Sequence, residues 1–163
     1  MAIKQRITPF LWFDGKAEEA ADFYTSIFPN SRIKDISRYT EAGFEFHGQP
    51  AGTVMTVEFE LDGMRCIALN GGPMFKFNEA ISLMVTGETQ AEVDYYWEKL
   101  TEGGDPAAQQ CGWLKDKFGV SWQVVPSGLA EVLGNDDSEK ADEAMDKMLT
   151  MKKLDMEALK SPE

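Results

Sequence analysis

The stretch ITPFLWFDGKAEEAADFYTSIFPN, residues 7–30, sets the architecture. Its first seven residues, Ile7 to Phe13, are aromatic and β-branched and predict a buried strand. Asp14-Gly15 breaks that strand, and Asp14 is placed to cap the helix after it. From Lys16 to Phe28 the apolar positions Ala17, Ala20, Ala21, Tyr24, Ile27 and Phe28 recur at helical spacing, until Pro29-Asn30 stops the helix. A strand feeding a helix of this length opens an α/β supersecondary unit.

Three further strands complete the unit. Ile33 to Tyr39 is strand-like, and Thr40 to Gly52, with three glycines and a proline, reads as a long irregular loop. Val54 to Leu61 alternates, with Val57, Phe59 and Leu61 on one face and Glu58 and Glu60 on the other. Asp62-Gly63 is a hairpin signal, Arg65 to Leu69 returns, and Asn70-Gly71-Gly72-Pro73 ends the run. The order then repeats. Ala80 to Thr86 predicts a strand, and Thr89 with Glu92 has the spacing of a capping box opening a helix to about Leu100. Three strand-like pieces come next, near Gln109–Gly112, Trp113–Lys117 and Ser121–Val125, closed by Pro126. The pair Phe23-Tyr24 corresponds to Tyr95-Tyr96, which points to two copies of one unit. The fold expected is α+β: two tandem βαβββ units, about 1–75 and 76–126, in a domain over 1–126. A helical extension covers 127–163, with Ser138 as a cap and Ala141, Ala144, Met145, Met148 and Leu149 as its apolar stripe.

Composition limits the function. The 163 residues suit about one domain, with 43% apolar and 27% charged residues, as in globular proteins. Sixteen basic against 28 acidic residues give −12, which opposes nucleic-acid backbones and anionic membranes. No apolar run approaches a membrane span, and the N-terminal residues carry no signal-peptide pattern, so a cytoplasmic protein is expected. Cys66 and Cys111 match no metal or redox spacing and read as free thiols. His47 is the only histidine and reads as a solvated loop residue, so one chain cannot build a site on two histidines.

The words Thr8-Pro9-Phe10-Leu11-Trp12-Phe13-Asp14-Gly15, Phe28-Pro29-Asn30-Ser31, Leu69-Asn70-Gly71-Gly72-Pro73, Cys111-Gly112-Trp113-Leu114, Asp116-Lys117-Phe118-Gly119-Val120-Ser121-Trp122-Gln123 and Met151-Lys152-Lys153-Leu154-Asp155 resemble the vicinal oxygen chelate superfamily of glyoxalases, extradiol dioxygenases and bleomycin-resistance proteins. Within it the chain resembles the PhnB-like branch, also called 3-demethylubiquinone-9 3-methyltransferase-like. The resemblance implies a glyoxalase-like open barrel with a small-molecule ligand in the cup between the units, and a homodimer. Metal-dependent members carry His or Glu on the first and last strands of each unit. The corresponding positions here are about Thr8, Ala68 or Asn70, Ser82 and Gln123, none an imidazole or carboxylate. The site residues expected are therefore ligand-binding ones, Trp12, Asn70, Ser82, Trp113 and Gln123, with no metal and no cofactor. The methyltransferase label finds no glycine-rich strand-to-helix loop, since Asp14-Gly15 holds one glycine. A small-molecule binding protein or metal-independent enzyme is the reading. The alternatives are a metal-dependent lyase or dioxygenase, or a resistance protein sequestering a cationic drug between aromatic walls.

Overall fold

The computed structural model describes residues 4–161. The chain divides into two compact units, the first ending at Phe77 and the second beginning at Asn78. The fold is α+β, with one sheet in each unit.

In the first unit the order is β1 (Phe10–Phe13), α1 (Ala17–Ile27), β2 (Arg32–Arg38), α2 (Phe44–His47), β3 (Val54–Leu61) and β4 (Met64–Asn70). The sheet runs β1-β4-β3-β2, with β1 parallel to β4 and the other pairs antiparallel. Pro9 has no N–H to give a ladder, so the regular strand starts at Phe10, and only the Pro9 carbonyl is used, by Ile67 N–H at 3.0 Å. Asp62 and Gly63 both take positive φ, at 47° and 82°, as the tight turn joining β3 to β4 requires. Helix α1 packs on β3 and β4, burying Ala17, Ala20, Ala21, Tyr24 and Ile27 against Val57, Phe59, Leu61, Cys66 and Ala68. Burial pushes the Cys66 thiol up to about 11.

Two local expectations change here. The loop after β2 contains one helical turn, α2, bounded by Gly43 and Gly48, both in the left-handed region. Asp14 does not cap α1; its N-cap is Lys16 without a side-chain bond, and the first free N–H, of Ala17, goes to Asn70 Oδ1 at 2.8 Å.

In the second unit the order is β5 (Leu83–Gly87), α3 (Gln90–Thr101), β6 (Trp113–Lys115), β7 (Ser121–Pro126), α4 (Leu129–Leu133), α5 (Ser138–Thr150) and α6 (Met156–Lys160). The sheet runs β5-β7-β6, and β5 is parallel to β7, as β1 is to β4. The strand expected near Gln109–Gly112 is reduced to a single bridge between Gln110 and Trp113. The reason is local: Cys111 and Gly112 take φ of 53° and 84° and form the turn itself. Their N–H groups bond to the Met151 and Lys152 carbonyls, each at 2.8 Å, so the C-terminal stretch occupies the side where a strand would pair. Gln90 ties the same stretch down, donating to Leu154 O at 3.0 Å and accepting from Met156 N–H at 3.1 Å, and Leu154 is buried.

Thr89 Oγ1 accepts from Glu92 N–H at 3.1 Å, while the Glu92 carboxylate accepts from Glu88 N–H, one residue earlier than a capping box would have it. Asp137 rather than Ser138 caps α5. Of the α5 stripe, Ala144 is buried among α4 and α6, whereas Met145 and Leu149 stand exposed. The inward face of α3 is Val93, Tyr96, Trp97 and Leu100, so Phe23-Tyr24 matches Tyr96-Trp97; Tyr95 is 40% exposed. No described helix is long and apolar enough to cross a membrane.

Candidate functional site

Each sheet has one face against its helix and one facing away, and the alternation of burial says which residues lie on which. In β4, Cys66, Ala68 and Asn70 are buried beneath α1, and Arg65, Ile67 and Leu69 point the other way. In β7, Trp122, Val124 and Pro126 are the buried set, and Gln123 and Val125 face away. Phe13, opposite Asn70, and Gly87, opposite Pro126, are the buried last residues of β1 and β5. Matching these ends makes Phe10 the counterpart of Met84, both well exposed, and Ile67 the counterpart of Gln123.

Asn70 is therefore not on the face that Gln123 occupies. It is 5% exposed, its Oδ1 accepts from Ala17 N–H at 2.8 Å, and its Nδ2 donates to Val54 O at 3.0 Å. Tyr39 donates its hydroxyl to the Asn70 carbonyl at 2.6 Å. This amide, expected to orient a ligand, instead joins α1, β3 and β4.

On the second unit the structure does bring three of the expected residues, Ser82, Trp113 and Gln123, together. Gln123 Nε2 donates to Ser82 Oγ at 2.9 Å, and Trp113 lies directly across from Gln123 in the β6–β7 ladder. Met84, beside Gln123 on β5, is 62% exposed. Lys115 comes two residues later on β6 and pairs with Glu79; that hydrogen bond holds the exposed Glu79 carboxyl below its ordinary range. Trp122, buried on the other face, donates its indole N–H to Asp116 Oδ2 at 2.8 Å, while Asp116 Oδ1 accepts from Phe118 and Val120 N–H.

Trp12 lies on the first unit and lines a cavity of about 650 Å³ there. Its indole N–H donates to Gly72 O at 2.8 Å, and its ring meets Phe75 edge-on at 4.9 Å. Any side chain at Gly71 would run into that indole, which explains the glycine after Asn70. Leu69, beside Trp12 in the ladder, continues this wall. The lining also includes Tyr39, Phe46, His47 and Gln49, from the segment that follows β2. Phe46 is 89% exposed and Met74, at the cavity's rim, 76%.

His47 is not a free loop histidine. Its Nδ1 accepts from Gln49 N–H at 2.9 Å, and its Nε2 lies 3.0 Å from the Ala42 carbonyl, which only accepts. The neutral ring with its proton on Nε2 satisfies both. The ring also lies 4.6 Å from that of Tyr39. Loop residues contribute through this local clamp, which carries no periodic sequence signal; only the aromatic count of the loop hinted at it.

The residues do not fit a catalytic metal. Among the described residues, no three His, Cys, Asp or Glu side chains gather where an ion could sit. Thr8 Oγ1 accepts from Arg65 Nη1, and Ser82 and Gln123 bond to each other.

The model of the 3-demethylubiquinone-9 3-methyltransferase family matches residues 5–125. The chain belongs to that family. A putative 3-demethylubiquinone-9 3-methyltransferase, PhnB protein, from Bacillus cereus is 42% identical, with a TM-score of 0.64 over 76% of this chain and 100% of its own. Protein PA1353 from Pseudomonas aeruginosa is 21% identical, with a TM-score of 0.56 over 76% of this chain and 98% of its own. The fosfomycin resistance protein FosX from Listeria monocytogenes, in complex with Mn(II) and sulfate, is 15% identical, with a TM-score of 0.53 over 82% of this chain and 98% of its own. The last two show the fold alone. No curated protein matches the chain significantly. The family match stops at residue 125, so the strap of residues 151–156 and the three C-terminal helices lie beyond it.

Proposed function

We propose that this member of the 3-demethylubiquinone-9 3-methyltransferase family is a small-molecule binding protein or a metal-independent enzyme, with its ligand held against Trp12 in the first unit. The carrying observation is the cavity of about 650 Å³ walled by Trp12, Leu69, Tyr39 and Phe46. That size and that apolar, aromatic lining suit a drug-sized ligand. Phe46 and Met74 stand in water at its rim, and a ligand would cover both. Trp113, Gln123 and Ser82 are proposed as a second ligand-facing surface on the second unit. A cytoplasmic homodimer is part of the same reading.

The test is a thermal-shift screen of small aromatic compounds on the wild type and on Phe46→Ala. Phe46 is so exposed that its removal changes apo stability by less than about 0.5 kcal/mol. A compound at 100 times its Kd stabilises the wild type by about 2.7 kcal/mol. Compounds that bind here lose most of that shift in Phe46→Ala. Equal shifts in both proteins, or no compound shifting the wild type, would refute the reading.

A further inference from the structure

The polar side chains of the first-unit cavity are already paired, with one exception. Trp12 donates to Gly72 O, Tyr39 to Asn70 O, and both His47 nitrogens bond to backbone. None of the ten residues lining the cavity is Asp, Glu, Lys or Arg, although a set of ten at the chain's 27% charged content would hold two or three. The exception is Gln49. Its backbone N–H fixes it to His47, its side-chain amide lines the cavity near Gly72, and among the described residues that amide has no hydrogen-bond partner. A Gln amide presents one N–H and one C=O side by side.

We infer that the cavity takes an uncharged, flat heteroaromatic molecule whose edge carries an adjacent donor and acceptor, as a lactam does, read by the Gln49 side chain. The ligand C=O accepts from Gln49 Nε2, the ligand N–H donates to Gln49 Oε1, and the ring lies between Trp12 and the Tyr39–Phe46 side. A charged ligand would meet no counter-charge there and would lose its hydration uncompensated. A site with one unpaired polar side chain disfavours ligands that leave that side chain unpaired, and this gives it its selectivity. The inference rests on the binding reading above and names its ligand class and its reader.

Three ring-matched probes test it: 2-quinolone, N-methyl-2-quinolone, which lacks the donor, and quinoline-2-carboxylate, which is anionic at pH 7.5. NMR titration of the full chain, tracking the Trp12 indole N–H, reports binding at this cavity. Expected is 2-quinolone binding about tenfold more tightly than the N-methyl compound, and more tightly still than the carboxylate. In Gln49→Leu the preference for 2-quinolone over its N-methyl derivative falls to parity, and Gln49→Asn, which withdraws the same amide, reduces it in part. If the probes move the Trp12 signal with equal affinity, or Gln49→Leu keeps the preference, the cavity binds ligands but the inference is wrong. If no probe moves that signal, both the inference and the binding reading fall.

Discussion

Asn70 and Gln123 are both side-chain amides on the last strand of their unit, and they are used in opposite ways. Asn70 ends β4 on the buried face and closes backbone bonds to Ala17 and Val54, 53 and 16 residues away in sequence. Gln123 lies on the face of β7 turned away from α3 and bonds only to the Ser82 hydroxyl. The difference is one of parity. A strand sends successive side chains to opposite faces, so a one-residue offset decides whether an amide builds the fold or is offered to a ligand. The units differ in self-sufficiency as well. The first completes a four-stranded sheet from its own hairpins, whereas the second has three strands and is finished by the strap from beyond the family's matched region.

The sharpest way to break this second contrast is Leu154→Ala. Leu154 is buried in the strap and packs so closely on Gly112 that an added Cβ there would lie 3.0 Å from it, inside ordinary van der Waals contact. Removing a buried leucine side chain costs about 3 kcal/mol, counting the cavity left behind. Denaturant unfolding should show that loss, with residues of β6 and β7 losing hydrogen-exchange protection first. A cost below about 1 kcal/mol would mean that the strap merely lies along the second sheet.

Asn70→Ala comes next. It strands the buried Ala17 N–H and takes a donor from the part-buried Val54 carbonyl at once, and should cost about 2–3 kcal/mol in the first unit. Urea melts of this variant check it, and hydrogen exchange should show the start of α1 opening. An unchanged midpoint would return Asn70 to the set of residues available for a ligand.

Much of the fold was legible because its signals are short-range. The α1 positions Ala17, Ala20, Ala21, Tyr24 and Ile27 are buried as their spacing required, and Asp62-Gly63 is the hairpin turn it resembled. What escaped depends on distant partners. Nothing near Ala17 shows that its N–H is capped from β4, and nothing near Cys111-Gly112 shows that Met151 and Lys152 take the bonds a further strand would have used. For the candidate site, strand alternation put Trp12 and Phe10 on one face without saying which face is lined; Ser82 and Gln123 came from the resemblance, and Trp113 from the supply of aromatic residues. Gln49 and His47 were not legible, because their placement comes from a one-turn helix between left-handed glycines, which has no repeating pattern.

The smallest effect is the most discriminating for the comparison of the two amides. Gln123→Ala removes one hydrogen bond from a partly exposed face and strands only the Ser82 hydroxyl, which can rotate toward water. Its cost should stay below about 1 kcal/mol, against the two to three expected at Asn70. Ser82→Ala should cost as little, and the double variant should cost less than the two singles added, since both remove the same bond. Matched urea melts of all four proteins make the comparison. If Gln123→Ala instead costs as much as Asn70→Ala, Gln123 is holding the β5–β7 ladder together, and the second unit's outward face has lost its polar claim on a ligand.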